Sequence, residues 1–233
     1  MKTNNVPASL ILGISFILGM FFLGNKLIEA RKNNRFVSVK GLAEQDVKAD
    51  QGSWVISATS TSNDLEELKR TVNHQVESIQ GWLKDKGFDA SEMKVEEMSL
   101  LENIYGNVTS RYTGNLQISL STDKVDQLDE VSGEVNELVD RGVSLSGDRW
   151  VSRPRFYFTK INDIKPELLA EATKAALRSA QEFADNSGEA VGGIKEARQG
   201  IISLIPANRV NESEEFHKSK IARVVTSIDY FIE

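Results

Sequence analysis

Apolar residues recur along three stretches of the chain at the 3.6-residue period of a helix. Leu65, Leu68, Val72, Val76, Ile79 and Leu83 make the first face. Asn63 and Glu66 stand where a capping box would start that helix, and Gly87 where it would stop. Val125, Leu128, Val131, Val135 and Leu138 make the second face, ended by Gly142. The third has Pro166 in its first turn and Gly188 behind it, and carries Leu169, Thr173, Ala176, Ala180 and Phe183. Its mostly small residues suit a helix that sits close to a neighbouring element. The opposite faces are charged and read as solvated.

Between these helices the period changes to two, the pattern of strands with one face on a core. Such runs lie at Phe36–Val39, Trp54–Thr59, Leu116–Leu120, Arg155–Thr159 and Ala222–Ile232. Ser60-Thr61-Ser62 leads into Asn63-Asp64-Leu65 much as Ser121-Thr122 leads into Asp123-Lys124-Val125. Strand, polar cap and helix therefore occur twice. The order ββα, ββα, β, α, ββ predicts an α+β fold built from repeated ββα units with a largely antiparallel sheet.

The N-terminus departs from both periods. Residues 3–25 carry no charge, and Pro7 to Gly24 are 18 nearly apolar residues. That approaches the length needed to cross a hydrocarbon core of ~30 Å as a helix. Ile28-Glu29-Ala30 is a poor cleavage site. Residues 1–25 are accordingly expected to be an uncleaved signal anchor with one transmembrane helix, 26–34 a short charged linker, and 35–233 the folded domain. Lys26, Arg31, Lys32 and Arg35 outnumber the cations before the span, which by local charge alone favours a cytoplasmic domain.

The net charge of −6 disfavours a nucleic-acid partner, which requires a basic face for phosphates. The absence of cysteine removes disulfides, thiolate nucleophiles and Cys-ligated metal. With only His74 and His217 present, a histidine-rich metal site is excluded and any triad would need one of them. His74 lies off the centre of the first helical face, and His217 in the acidic stretch Glu212–Lys218, which reads as an exposed hairpin loop.

Two Ser-x-x-Lys matches, Ser91–Lys94 and Ser121–Lys124, lack the partner motifs of an acylating enzyme, and the second coincides with a helix start. Glu96 and Glu97 are neighbours in a strand pattern and so point to opposite faces. Glu44, Asp46 and Asp50 form a looser acidic group. Gly192-Gly193 follows a helix instead of opening one, which suits a turn or bulge and not a phosphate cradle. Asn107-Val108-Thr109 and Asn211-Glu212-Ser213 match glycosylation acceptors, which matter only in a eukaryotic secretory route. No catalytic, cofactor-binding or metal-binding residue is assigned.

Residues 35–50, from Arg35-Phe36-Val37-Ser38-Val39-Lys40-Gly41 to Val47-Lys48-Ala49-Asp50, resemble the opening of the SIMPL-domain (DUF541) family. The segment from Asn162 through the Ala-rich helix to Gly188 and Val191-Gly192, and the closing strand Arg223–Phe231, are similar to later parts of the same family. The resemblance implies an extracytoplasmic bacterial protein behind a signal peptide or anchor, associated with envelope integrity and stress tolerance and tending to oligomerise. It supplies no catalytic residues.

The expectation is thus a non-enzymatic protein of the inner membrane with a single span. Its domain would be periplasmic or extracellular, against the local charge bias. Expected partners are the lipid bilayer, further copies of the chain and an unknown envelope protein, with no cofactor. The alternative is a periplasmic small-ligand or peptide binder using a cleft between the two ββα units. A hydrolase of dispersed carboxylates or His74 comes third.

Overall fold

The computed structural model describes residues 13–24, 35–103, 110–147 and 153–233. In chain order the elements are α1 (13–24), β1 (Phe36–Lys48), β2 (Gln51–Ser62), α2 (Leu65–Asp85), β3 (Met93–Glu102), β4 (Tyr112–Thr122), α3 (Val125–Ser132), α4 (Glu137–Asp140), β5 (Arg155–Tyr157), α5 (Ile161–Ser187), β6 (Val191–Gln199), β7 (Ser203–Pro206) and β8 (Ser219–Ile232). The α+β class with antiparallel pairing is as expected. The chain divides into two compact units, one of residues 1–44, 165–203 and 223–233, the other of 45–164 and 204–222.

In the second unit a four-stranded sheet runs in the order β3-β4-β2-β5. β2 and β4 pair antiparallel from Gly52↔Thr122 to Ser62↔Tyr112. Alternation turns Trp54, Ile56, Ala58, Leu116, Ile118 and Leu120 inward, where α2 meets them with Leu68, Val72, Ile79, Trp82 and Leu83. Trp54 and Trp82 meet edge to face with centroids 6.1 Å apart. The other face of these two strands carries Ser53, Ser57, Thr59, Asn115, Gln117 and Ser119, short polar side chains for the solvated side.

Several expectations are corrected here. The ladder joins β2 directly to β4, while β1 belongs to the other sheet, so the two ββα segments are not separate modules. Asp64, not Asn63, caps α2: its Oδ1 accepts from Glu66 N–H at 2.7 Å and Glu67 N–H at 3.0 Å. Asn63 accepts the Arg111 N–H instead. Past Gly133 the winding of the second predicted helix tightens to i→i+3 hydrogen bonds, so it splits into α3 and α4. Gly87, Gly142 and Gly188 stand at positive φ after their helices, as their spacing implied.

In the other sheet β1, β8 and β6 lie in that order and β7 adds to β8; the first unit holds all of β6 and most of β1 and β8, while β7 after Ser203 belongs to the second. Backbone bonds from Ile232 N–H to Arg35 C=O and Ala49 N–H to Lys218 C=O mark the two ends of the β1–β8 ladder, each strand being divided between the units. α5 buries Leu168, Ala172, Ala176, Ala180 and Ala184, an unbroken stride of four, and not the predicted face through Leu169, Thr173 and Phe183. The reason is distance. A Cβ at Gly41 of β1 would lie 1.8 Å from the Ala172 carbonyl oxygen, so backbone nearly touches backbone and only alanine fits. α5 also begins one turn before Pro166, which leaves the Asn162 carbonyl without its helical donor. β7 was not anticipated.

α1 is twelve residues of the expected anchor, about 18 Å long. Among the described residues no helix is long and apolar enough to cross a membrane. Residues 1–12 and 25 of the expected anchor, and the linker 26–34, lie outside the described residues, as does Asn107-Val108-Thr109.

Candidate functional site

In the second unit, the segment 207–218 between β7 and β8 folds back through a 3-10 turn at Glu214–Phe216 and gathers a cluster of half-buried charged side chains. Arg153, just before β5, lays its guanidinium 4.7 Å from the centroid of Phe216 and donates to Glu212 Oε1 at 2.7 Å. That bond, together with the charges of Arg153 and His217, holds the Glu212 carboxyl below its ordinary range. His217 Nε2 lies 3.0 Å from Glu212 Oε2, inside ion-pair distance but out of hydrogen-bond alignment, and is shielded from solvent. The histidine read as lying in an exposed loop is thus mostly buried against a carboxylate.

The flanking cations are also engaged. Lys218 reaches Asp129 at 2.6 Å and Asp126 at 3.3 Å, and the Asp129 bond raises its pKa. Lys48 reaches Asp126 at 2.5 Å, and its bond with that of Lys218 lowers the Asp126 carboxyl. Lys220 is wholly buried, its ammonium donating to the Glu214 carbonyl and carboxylate. A buried ammonium without such partners would be severely penalised.

Two shallow cavities flank this segment. One, of about 150 Å³, is lined by Asp129, Ser132, Arg153, Pro154, Phe156 and Phe216. The other, of about 260 Å³, is lined by Ala207, Asn208, His217, Lys218 and Ser219. Chemically the cluster can offer hydrogen bonds to a small polar ligand. Among the described residues no hydrogen bond joins Ser219 to His217, and no three His, Asp or Glu side chains converge as a metal-binding group.

The other singled-out residues lie elsewhere. His74 is exposed on α2, its Nδ1 3.4 Å from Ser78 Oγ. Ser121 accepts from Gln51, while Lys124 donates to Gly87 C=O, Asp89 and Glu92, so neither Ser-x-x-Lys match forms a Ser–Lys pair: Lys94 binds Glu96. Burial raises the Glu92 carboxyl, but bonds from the Thr122 hydroxyl, Asp89 N–H and Lys124 outweigh it and hold it low. Asp50 behaves alike: burial raises it, and the Thr159 N–H and hydroxyl bring it down. Glu44 belongs to the first unit and faces Arg223 at 3.7 Å.

Glu96 and Glu97 are corrected. A β-bulge between Val95 and Glu97 breaks the alternation. Glu97 then pairs with Gln117 and Glu96 accepts from the Ser119 hydroxyl, which puts both carboxylates on the solvated face. Gly192 and Gly193 open β6 at an irregular register, as a bulge reading implied. Sequence patterning missed Arg153 and Lys220, and noted Glu212 only as the start of the acidic stretch around His217.

A family model described as "SIMPL: Protein of unknown function (DUF541)" matches residues 37–224. No curated protein matches the chain. Among solved structures, the regulatory subunit of aspartate kinase from Thermus flavus is 13% identical, with 82% of this chain and 89% of that one covered at a TM-score of 0.16. An uncharacterized conserved protein from Listeria innocua is 8% identical, with 78% and 91% covered at a TM-score of 0.18. Scores this low give neither likeness weight for fold or function.

Proposed function

We propose a role that starts from one fact, that the chain belongs to the SIMPL (DUF541) family across most of its length: it is a non-enzymatic interaction module, held at the inner membrane by its N-terminal segment. The observation carrying this reading is that segment. It is uncharged from residue 3 to 25, and in α1 the side chains of Phe16, Ile17, Phe21 and Phe22 are each more than 60% exposed. Apolar residues bared on every side of a helix are costly in water and stable in lipid. The folded domain then lies on the periplasmic or extracellular side and works by contact with further copies or an envelope protein, in support of envelope integrity or stress tolerance.

Membrane fractionation of cells expressing the full chain tests this. The protein should stay with the inner membrane through alkaline carbonate and be released by detergent, and light scattering of the detergent-purified chain should give a defined oligomer. Recovery in the carbonate supernatant removes the anchor, and a monomer removes the assembly role. The two cavities beside residues 207–218 favour a second reading, a small polar ligand held there. It predicts a rise in Tm with a bound ligand that is lost in Arg153→Ala.

A further inference from the structure

The end of the first unit where β1 begins is unusually rich in exposed apolar side chains. Phe36, the first residue of β1, is 43% exposed, Ile194 in β6 is 54% exposed and Phe183, one turn before the end of α5, is 62% exposed. The ladder brings them to one end. Ile232 N–H bonds to Arg35 C=O, Ala190 and Glu233 exchange backbone bonds, and Glu189 N–H reaches back to the Ala184 carbonyl. β1, β8, β6 and α5 therefore all start or finish there. The Lys195 ammonium sits 3.3 Å from the centroid of the Phe36 ring.

Chain length says what lies nearby. Eleven peptide steps separate residue 24, the last described residue of the uncharged helix, from Arg35, a reach of at most about 40 Å when fully extended. If that helix is in lipid, this end of the unit is the one tethered beside the bilayer. An aromatic ring with a snorkelling lysine is a combination that settles at a membrane interface.

We infer that Phe36, Phe183 and Ile194 dock this end of the first unit onto the bilayer surface, with Lys195 reaching to the headgroups. The inference rests on the anchored reading above. The local charge decides the kind of contact. Arg35 is already paired with Glu189 at 2.5 Å, and Asp185 and Glu233 lie at the same end, so the rim is not basic. Docking is driven by apolar burial and is indifferent to anionic lipid and to salt.

The cysteine-free chain allows a direct test. Full-length protein carrying a single fluorophore at Asn186→Cys, or at Ile201→Cys beyond the far end of β6, is reconstituted into phosphatidylcholine vesicles with spin-labelled lipid. Flotation reports the anchor, and quenching reports docking. Quenching at 186 should be several-fold stronger than at 201, unchanged by added phosphatidylglycerol or salt. It should fall to the level at 201 when Phe36, Phe183 and Ile194 are changed to Ser, while the protein still floats. Equal quenching at both sites in floated protein, or excess quenching at 186 only with anionic lipid, overturns the docking and leaves the anchor standing. Failure to float overturns the anchor itself.

Discussion

The two units solve the same packing problem in opposite ways. In the second, large side chains interdigitate: Trp54, Trp82, Leu83, Ile118 and Leu120 fill the space between sheet and helix. In the first, helix and sheet come together until little side chain is left between them, and Ala176 and Ala180 pack on Val39, Ile228 and Tyr230. The former is held by the volume of its side chains, the latter by their smallness. Interiors are dense in both cases, so each has a characteristic weakness. One is vulnerable to lost volume, the other to added volume.

The sharpest test of that contrast is Trp82→Ala, which empties the centre of the second core and removes the bond from the Trp82 indole to Glu137. A loss of about 4 kcal/mol is expected in denaturant titrations. Amide exchange should place the loosening in the second unit, and an even spread over both would break the comparison. Next comes the smallest possible enlargement. Gly41→Ala forces a methyl group into the Ala172 carbonyl and should cost about 2 to 3 kcal/mol. The same change at Gly81, inside α2 with nothing within 4 Å, should instead add about 1 kcal/mol through helix propensity.

The weakest effect is set by acid. Asp50, Glu92, Asp126, Glu137 and Glu212, all in the second unit, titrate below their ordinary values, Glu137 chiefly through its bond from Trp82. In the first unit only Glu171 does so among the described residues, held low by Lys174. A depressed carboxyl contributes stability above its unfolded pKa and loses it as pH falls through the folded one. The second unit should therefore loosen first as pH drops below about 4, visible in tryptophan fluorescence before amide exchange reports opening in the first.

Much of this was legible in the residues. The stripe Leu68, Val72, Ile79 and Leu83 and the glycines at 87, 142 and 188 placed α2 and the helix ends, because helical period and positive φ are local properties. Trp82 and Gln75 were missed on the same buried face, since a stripe drawn from aliphatic residues is narrower than the surface a sheet covers. The face of α5 was drawn correctly at Ala176 and Ala180 but one residue off at Leu169, Thr173 and Phe183, because Ala and Leu fit several faces equally, and the approach of Gly41 to Ala172 favours the alanine stride. Of the cluster of Arg153, Glu212, His217 and Lys220, only His217 in its acidic stretch was noted, and as an exposed loop. Arg153 and Glu212 are 59 positions apart, and their meeting depends on where β5 places Arg153 and how the 207–218 segment folds back.

The pairing of β1 with β8 joins the start of the first strand to the end of the last, Arg35 to Ile232. During synthesis β1 must wait, its pairing groups bare, until the ribosome has delivered the closing strand. Contacts of such long range are slow to form and expose the chain to wrong partners meanwhile. Lys40 and Glu44, standing outward along β1, act as chaperones written into the strand: charges that spoil any premature match with another edge. The second unit also waits for late residues, because Leu204–Ala222 belong to it. A truncated product would therefore lack a finished unit of either kind, making the last thirty or so residues the checkpoint for the whole molecule.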